Sequence, residues 1–361
     1  MIRKLAEIAN KSIWRVIPPF LFIFFCASIF SLAQEKVAFR VCDDGNNPLP
    51  YANIRFQNNS NGTITNAKGY FQVPSIANQT IIISHLGYQT LTLNPDTIVS
   101  GIITLKEQAV GLSEINIKPG DGLNIVRKAL KNIPQNYSCN KQRQRAFYRE
   151  YLYENEQLKT VTESSLSVTK MPYNEISNDE IYIEHGKSFV HDSSDIEIVN
   201  GPQAIFKQCD IVKNKSYILE EKNIKKHNFM ISSILQNEDR TLYEIRFFPK
   251  NKKNTIGGDK FSGEIYIDTT NFSIIKADIE KLAKTGKKSG NKLTVNYQLF
   301  GEQLTLSNAQ KQVSRNNDKA IAELAITNFD CNTCENTQVK IEKGIPLNQY
   351  LSSMNYSYQT I

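Results

Sequence analysis

What this chain has little of narrows the field first. It holds one Trp, four His and six Cys in 361 residues. A catalytic zinc needs three protein ligands and an open position, and His85, His185, His191 and His227 never stand in an H-x-x-E or H-E-x-x-H arrangement. There is no G-x-S-x-G, no P-loop and no dinucleotide glycine fingerprint, so those nucleophile and phosphate-binding chemistries lack their usual signature. No Lys/Arg stripe with interleaved aromatics is present, which argues against nucleic acid as a partner. Lys222, Lys225, Lys226 and His227 read as a solvated face, as do Lys250, Lys252 and Lys253, with anionic headgroups the alternative. No repeat of 20–50 residues and no low-complexity tract occurs.

One long apolar run does exist, at Ile17 to Leu32, behind the basic residues Arg3, Lys4, Lys11 and Arg15. It is shorter than the ~20 residues a spanning helix needs. Ser31-Leu32-Ala33 supplies small residues at the positions a signal peptidase reads, so residues 1–33 are expected to be a secretory signal cleaved before Gln34. The alternative is a membrane anchor. Removing the four basic residues and Glu7 of that segment takes the net charge from +7 to +4. Cys42, Cys139, Cys209, Cys331 and Cys334 then remain, an odd count that excludes complete internal pairing. Cys331-x-x-Cys334 follows what reads as a strand end. The pair is a candidate loop disulfide, with thiol redox chemistry the alternative.

What is abundant is aromatic and β-branched: 16 Tyr and 18 Phe among many Ile and Val, residues that suit half-buried strands. Residues 34–118 read as seven or eight short strands with turns every 8–12 residues, the pattern of an antiparallel β-sandwich. Val41-x-Asp43 leads to Pro48-Leu49-x-x-Ala52-x-Ile54; Thr65-Asn66-x-x-Gly69-x-Phe71 follows, then Ile83-Ser84-x-x-Gly87-Tyr88. In order and spacing these blocks resemble the carboxypeptidase-regulatory-like (transthyretin-like) domain of exported Bacteroidetes proteins. Phe39 departs from the Gly usual in that family. The resemblance implies an accessory module without peptidase activity. Asp43, Pro48, Ala52, Asn66, Gly69, Phe71, Gly87 and Tyr88 are its structural residues.

Residues 119–135 read as a linker, Pro119-Gly120-Asp121-Gly122, and a helix from Leu123 to about Ile133. Leu123, Val126, Leu130 and Ile133 share its buried face, Asp121 caps it and Pro134 ends it. Residues 136–361 read as a larger β-rich domain, a curved antiparallel sheet or half-barrel. In it Gly263 to Asp268 followed by Ile274-Ile275-Lys276 resembles the strand pair of periplasmic lipoprotein-carrier half-barrels. Glu184-His185 and His191-Asp192 are expected in a loop or at a strand end, and Asp179-Glu180 and Glu220-Glu221 on the surface.

The expected protein is therefore mainly β, exported to the periplasm or outer membrane, and non-catalytic, with no cofactor and no metal. Its partner is expected to be a hydrophobic ligand or an envelope protein. A hydrolase related to metallocarboxypeptidases and a structural surface protein are the alternatives.

Overall fold

The computed structural model describes residues 36–57, 62–66, 68–74, 80–98, 100–108, 120–190, 201–237, 240–250, 260–281 and 289–328. The N-terminal segment 1–33, the strand expected at 112–117, His191, and Cys331 with Cys334 lie outside them.

The first unit contains β1 (Lys36–Cys42), β2 (Asn53–Phe56), β3 (Gly62–Ile64), β4 (Tyr70–Pro74), β5 (Ile81–Ser84), β6 (Leu91–Leu93) and β7 (Ile102–Thr104). They make two sheets, ordered β4-β1-β7 and β3-β2-β5-β6. Alternate residues point between the sheets. Phe39, Val41, Ala52, Ile54, Phe71 and Ile83 are buried there, with Phe39 and Phe71 rings 5.5 Å apart. Phe39 thus fills core where the family usually has Gly. One pairing departs from the all-antiparallel expectation: β1 and β7 run parallel. The chain visits the other sheet between them, and such a long connection permits parallel return.

The motif residues build turns. The Asp43 carboxylate accepts from the Asn47 backbone at 2.8 Å and its amide at 3.0 Å. Asn66 Oδ1 accepts from the backbone N–H of Lys68 at 2.9 Å and of Tyr70 at 3.0 Å. Gly69 sits at φ +79°, and a Cβ there would stand 2.5 Å from the Val41 carbonyl, so only glycine closes this turn. Tyr88 meets His85 edge-on at 5.3 Å.

The second unit opens with α1 (Asp121–Lys131) and α2 (Ile133–Asn136). α1 begins two residues earlier than expected. Gly120, in the left-handed region, is its N-cap, and Asp121 lies in the first turn, where its charge suits the helix dipole. Pro134 does not end a helix; it sits in the first turn of α2, where no hydrogen bond is lost.

Ten strands follow: β8 (Gln142–Glu154), β9 (Gln157–Lys170), β10 (Glu180–Val190), β11 (His227–Asn237), β12 (Arg240–Pro249), β13 (Phe261–Asp268), β14 (Ile274–Lys281), β15 (Ser289–Phe300), β16 (Gln303–Arg315) and β17 (Asp318–Asn328). They form one open, curved antiparallel sheet ordered β10-β9-β8-β17-β16-β15-β14-β13-β12-β11. Between β10 and β11 lie α3 (Gly201–Cys209), α4 (Ile211–Asn214) and α5 (Glu221–Ile224). The helices bury Val126, Ile205, Phe206 and Ile211 against one face of the sheet, with Tyr148, Leu166, Ile265 and Val295. The small two-sheet unit meets the opposite face. Tyr51 donates to Glu323 at 3.1 Å, and Asn53 accepts from Asn308 at 3.2 Å. Among the described residues no helix is long and apolar enough to cross a membrane.

Candidate functional site

The helix-covered face of the sheet holds a buried charge network. On β9, Leu166, Val168 and Lys170 point inward at a period of two, and all are buried. Lys170 Nζ donates to Asp179 Oδ2 at 2.8 Å and to Asp210 Oδ2 at 2.5 Å. Asp179 Oδ1 accepts from Lys213 Nζ at 2.7 Å and from the Met171 backbone at 2.9 Å. Asp210 caps α4, accepting from the Lys213 backbone, and its Oδ1 also accepts from Tyr297 Oη at 3.1 Å. Burial pulls the Lys170 ammonium toward neutrality, and Asp179 and Asp210 more than reverse this, holding its pKa above 10.5. Burial likewise opposes ionisation of Asp179, and Lys170 and Lys213 outweigh it, holding its pKa below 3.8. Every charge here has an opposite partner, as buried ions require.

A second buried acid lacks such a partner. Glu150, 8% exposed on the same face of β8, accepts from Tyr148 Oη at 2.9 Å. Burial pushes its carboxyl up to about 7 against that hydrogen bond. A folded-state pKa raised from 4.5 favours the folded protein fully below 4.5, and that advantage is lost as pH rises through 7. The loss amounts to about 3 kcal/mol at most. Glu150→Gln keeps a hydrogen-bonding group and removes the charge. We expect it to raise urea stability at pH 8 by about 1–3 kcal/mol and to change it little at pH 4. An equal effect at both pH values would show that Glu150 does not titrate in this way.

At one end of this face the helices and sheet leave an open cleft of about 1570 Å³. Its floor begins at a cross-strand row, Phe261 paired with Lys281 and Lys281 with Asn291. Lys311 of β16 donates to the Gln208 amide oxygen of α3 beside it. Burial lowers the Lys311 pKa, and the nearby Lys281 charge lowers it further. Leu130, Pro134 and Tyr217 supply apolar wall, and Tyr217 meets Phe261 edge-on at 5.6 Å. Ile176, fully exposed, stands on the lining. Eight lysines stand against two glutamates, Glu175 and Glu220; Lys213 is neutralised by Asp179, so the lining keeps a surplus of five positive charges.

A smaller crevice of about 940 Å³ separates the two units on the opposite face, lined by Tyr70, Phe147, Arg149, Glu163, His185 and Lys187. Its lining sets Glu163 and Glu323 against Arg149 and Lys187, and Glu163 meets Arg149 at 2.5 Å and Lys187 at 2.9 Å.

Several sequence expectations are corrected here. Glu184 and His185 lie inside β10 at a register shift, not in a loop, because Glu184 is held by Arg145 through Nε at 2.8 Å. Asp179 is buried, since it neutralises Lys170 and Lys213. His227 is 1% exposed: Nδ1 meets the Asn223 carbonyl at 2.6 Å, and Nε2 accepts from the Phe261 backbone at 3.1 Å. Lys222, Lys225 and Lys226 are exposed, as the sequence implies, and Lys222 and Lys226 also border the cleft. Among the described residues no group of three His, Cys, Asp or Glu side chains gathers as a metal site.

The architecture is thus a mainly β protein, a small two-sheet unit set on an open, helix-lined half-barrel. Residues 40–117 match the CarboxypepD_reg-like domain family, the family the motif blocks resemble. Among solved structures, a DUF1329 family protein from Desulfovibrio piger is similar at 10% identity and TM-score 0.28, the match covering 61% of this chain and 95% of that one. A LolA superfamily protein from Nitrosomonas europaea is similar at 9% identity and TM-score 0.23, covering 58% and 94%. At these scores neither likeness carries a functional argument. No curated protein matches the chain.

Proposed function

We propose that this is an exported, non-catalytic binding protein of the cell envelope, whose ligand occupies the cleft at the end of the half-barrel. The observation that carries this reading is the cleft itself. It exceeds the ~300–1,000 Å³ of ordinary small-molecule pockets, and it stays open although the rest of that face is filled by helices. Its apolar wall and the exposed Ile176 suit a ligand with a hydrophobic portion, while the CarboxypepD_reg-like unit on the other face is an accessory module. Export, to the periplasm or the outer membrane, rests on the layout of residues 1–33.

Two measurements on protein recovered from envelope fractions test the reading. N-terminal sequencing should return Gln34 as the first residue. Native mass spectrometry should show a co-purifying molecule, lost when Ser216→Trp fills the cleft. An uncleaved protein in the soluble cell extract would remove the export half of the proposal. A mass equal to the bare chain would remove the binding half.

A further inference from the structure

The chemistry of the cleft goes further than an apolar ligand, and this step rests on the binding reading above. We propose that the cleft takes a multiply anionic saccharide, sulfated or phosphorylated, as the polar part of its ligand.

Three observations converge on it. The first is charge. With Lys213 neutralised by Asp179, the lining still carries five more positive than negative charges, whereas the crevice on the opposite face sets Glu163 and Glu323 against Arg149 and Lys187. Lys281 and Lys311 both stand on the floor, although burial and the Lys281 charge both work against the Lys311 ammonium. A surplus of this size in a partly enclosed cleft focuses potential and draws in anions of several charges. The second is unsatisfied polarity. Ser177 Oγ and Ser216 Oγ both line the cleft, and both are buried without a hydrogen-bond partner. Buried hydroxyls are ordinarily paired, so a ligand bringing hydroxyls or anionic oxygens completes them. The third is the company of those groups. Asn174, Asn178 and Asn291 add amides that bond sugar hydroxyls in either sense, and the half-buried Tyr217, backed edge-on by Phe261, offers an aromatic surface for a ring. A small single anion such as inorganic sulfate would reach only a few of these groups and leave most of this lining unused.

The test uses the full mature chain and isothermal titration calorimetry. The probes are a sulfated dextran oligosaccharide, the unsulfated oligosaccharide of equal length, inorganic sulfate, and phosphatidylglycerol vesicles. We expect the sulfated oligosaccharide to bind, with affinity falling as salt rises, and the unsulfated one and sulfate to bind at least about tenfold more weakly. Lys281→Gln with Lys311→Gln should cost about tenfold or more in affinity. Because that pair lies on the sheet, Lys207→Glu, at an exposed position of α3, is the second variant, and it should weaken binding without touching the floor. Lys68→Gln on the small unit should leave binding unchanged. Equal binding of the unsulfated oligosaccharide, indifference to the cleft variants, or tighter binding to the vesicles that the same variants abolish would each overturn the assignment. The two proposals fail separately. A co-purifying molecule displaced by Ser216→Trp, with no binding of the sulfated probe, sinks the saccharide and leaves the binding reading standing. Absence of both sinks the two together.

Discussion

Lys170→Met should lower the stability of the protein by about 3–5 kcal/mol at pH 7, measured by urea denaturation, the cost of breaking a buried ion pair from one side. Lys170 is 1% exposed and binds two carboxylates, of which Asp210 is fully buried. Asp179 keeps Lys213 in the variant. Asp210 keeps Tyr297, Tyr173 and the α4 backbone, with the Lys213 charge nearby, so its charge loses the cation bonded directly to it. The pH dependence separates this cause from lost packing. Asp179 has a folded pKa held below 3.8, so its contribution to wild-type stability is present above 3.8 and disappears as pH falls through the folded value. Lys170 has a folded pKa above 10.5, so its contribution is present below 10.5 and disappears as pH rises through the folded value. Between these limits the network is intact. The gap between wild type and variant should therefore be widest near neutrality and narrow in acid. A gap of the same size at pH 3 and pH 7 would assign the loss to the methylene packing of Lys170 instead. Asp210→Asn, which keeps shape and removes charge, should follow the same trend.

This network marks how far residue patterns carry. The small unit was legible because its information is local: Asn66 and Gly69 make a turn in any context that tolerates one, and period-two alternation names Ala52, Ile54 and Phe71 as core. The β13–β14 pair was legible for the same reason. Lys170 was not legible in the sequence: the period of Leu166 and Val168 extends to it only if the strand is carried past Val168, and nothing local reveals that its partners stand 9 and 40 residues away. Asp210 shows a helix-capping pattern before Ile211, which predicts a cap and not a salt bridge. The cleft was less legible still. Its lysines come from α1, α3 to α5, β14 and β16, so no window of sequence shows their density, and only Lys222, Lys225 and Lys226 formed a visible cluster. That cluster is solvated, as it reads, and what the sequence hides is that it also borders a cleft, because a cleft rim and a convex surface carry the same residues. The helices of residues 201–224 escaped for a related reason: α4 and α5 have four residues each and the 3-10 turn between them, Tyr217–Leu219, has three, and packing against the sheet rather than propensity stabilises such pieces.

Gly263→Ala should be the most damaging single methyl group in the described protein. Gly263 stands mid-sheet, paired with Phe247 of β12 and Ile279 of β14, at φ +146°. An added Cβ would lie 1.9 Å from the Asp278 carbonyl oxygen and 3.1 Å from Phe247 Cζ. Backbone strain of this kind costs about 1–3 kcal/mol by itself, and the clash with main chain forces β13 and β14 apart, so a total above about 4 kcal/mol is expected. Two other glycines calibrate it. Gly301 has φ +62° and open space, so alanine there should cost only the left-handed conformation, about 1–2 kcal/mol. Gly290 has neither a positive φ nor a neighbour within 4 Å, and alanine there should stay within about 0.5 kcal/mol. The ordering matters for the cleft because β13 and β14 deliver Phe261 and Lys281 to its floor as a registered pair. If Gly263→Ala folds with a loss near that of Gly301→Ala, the two strands tolerate separation, and the rigid floor on which the anion site depends is not there.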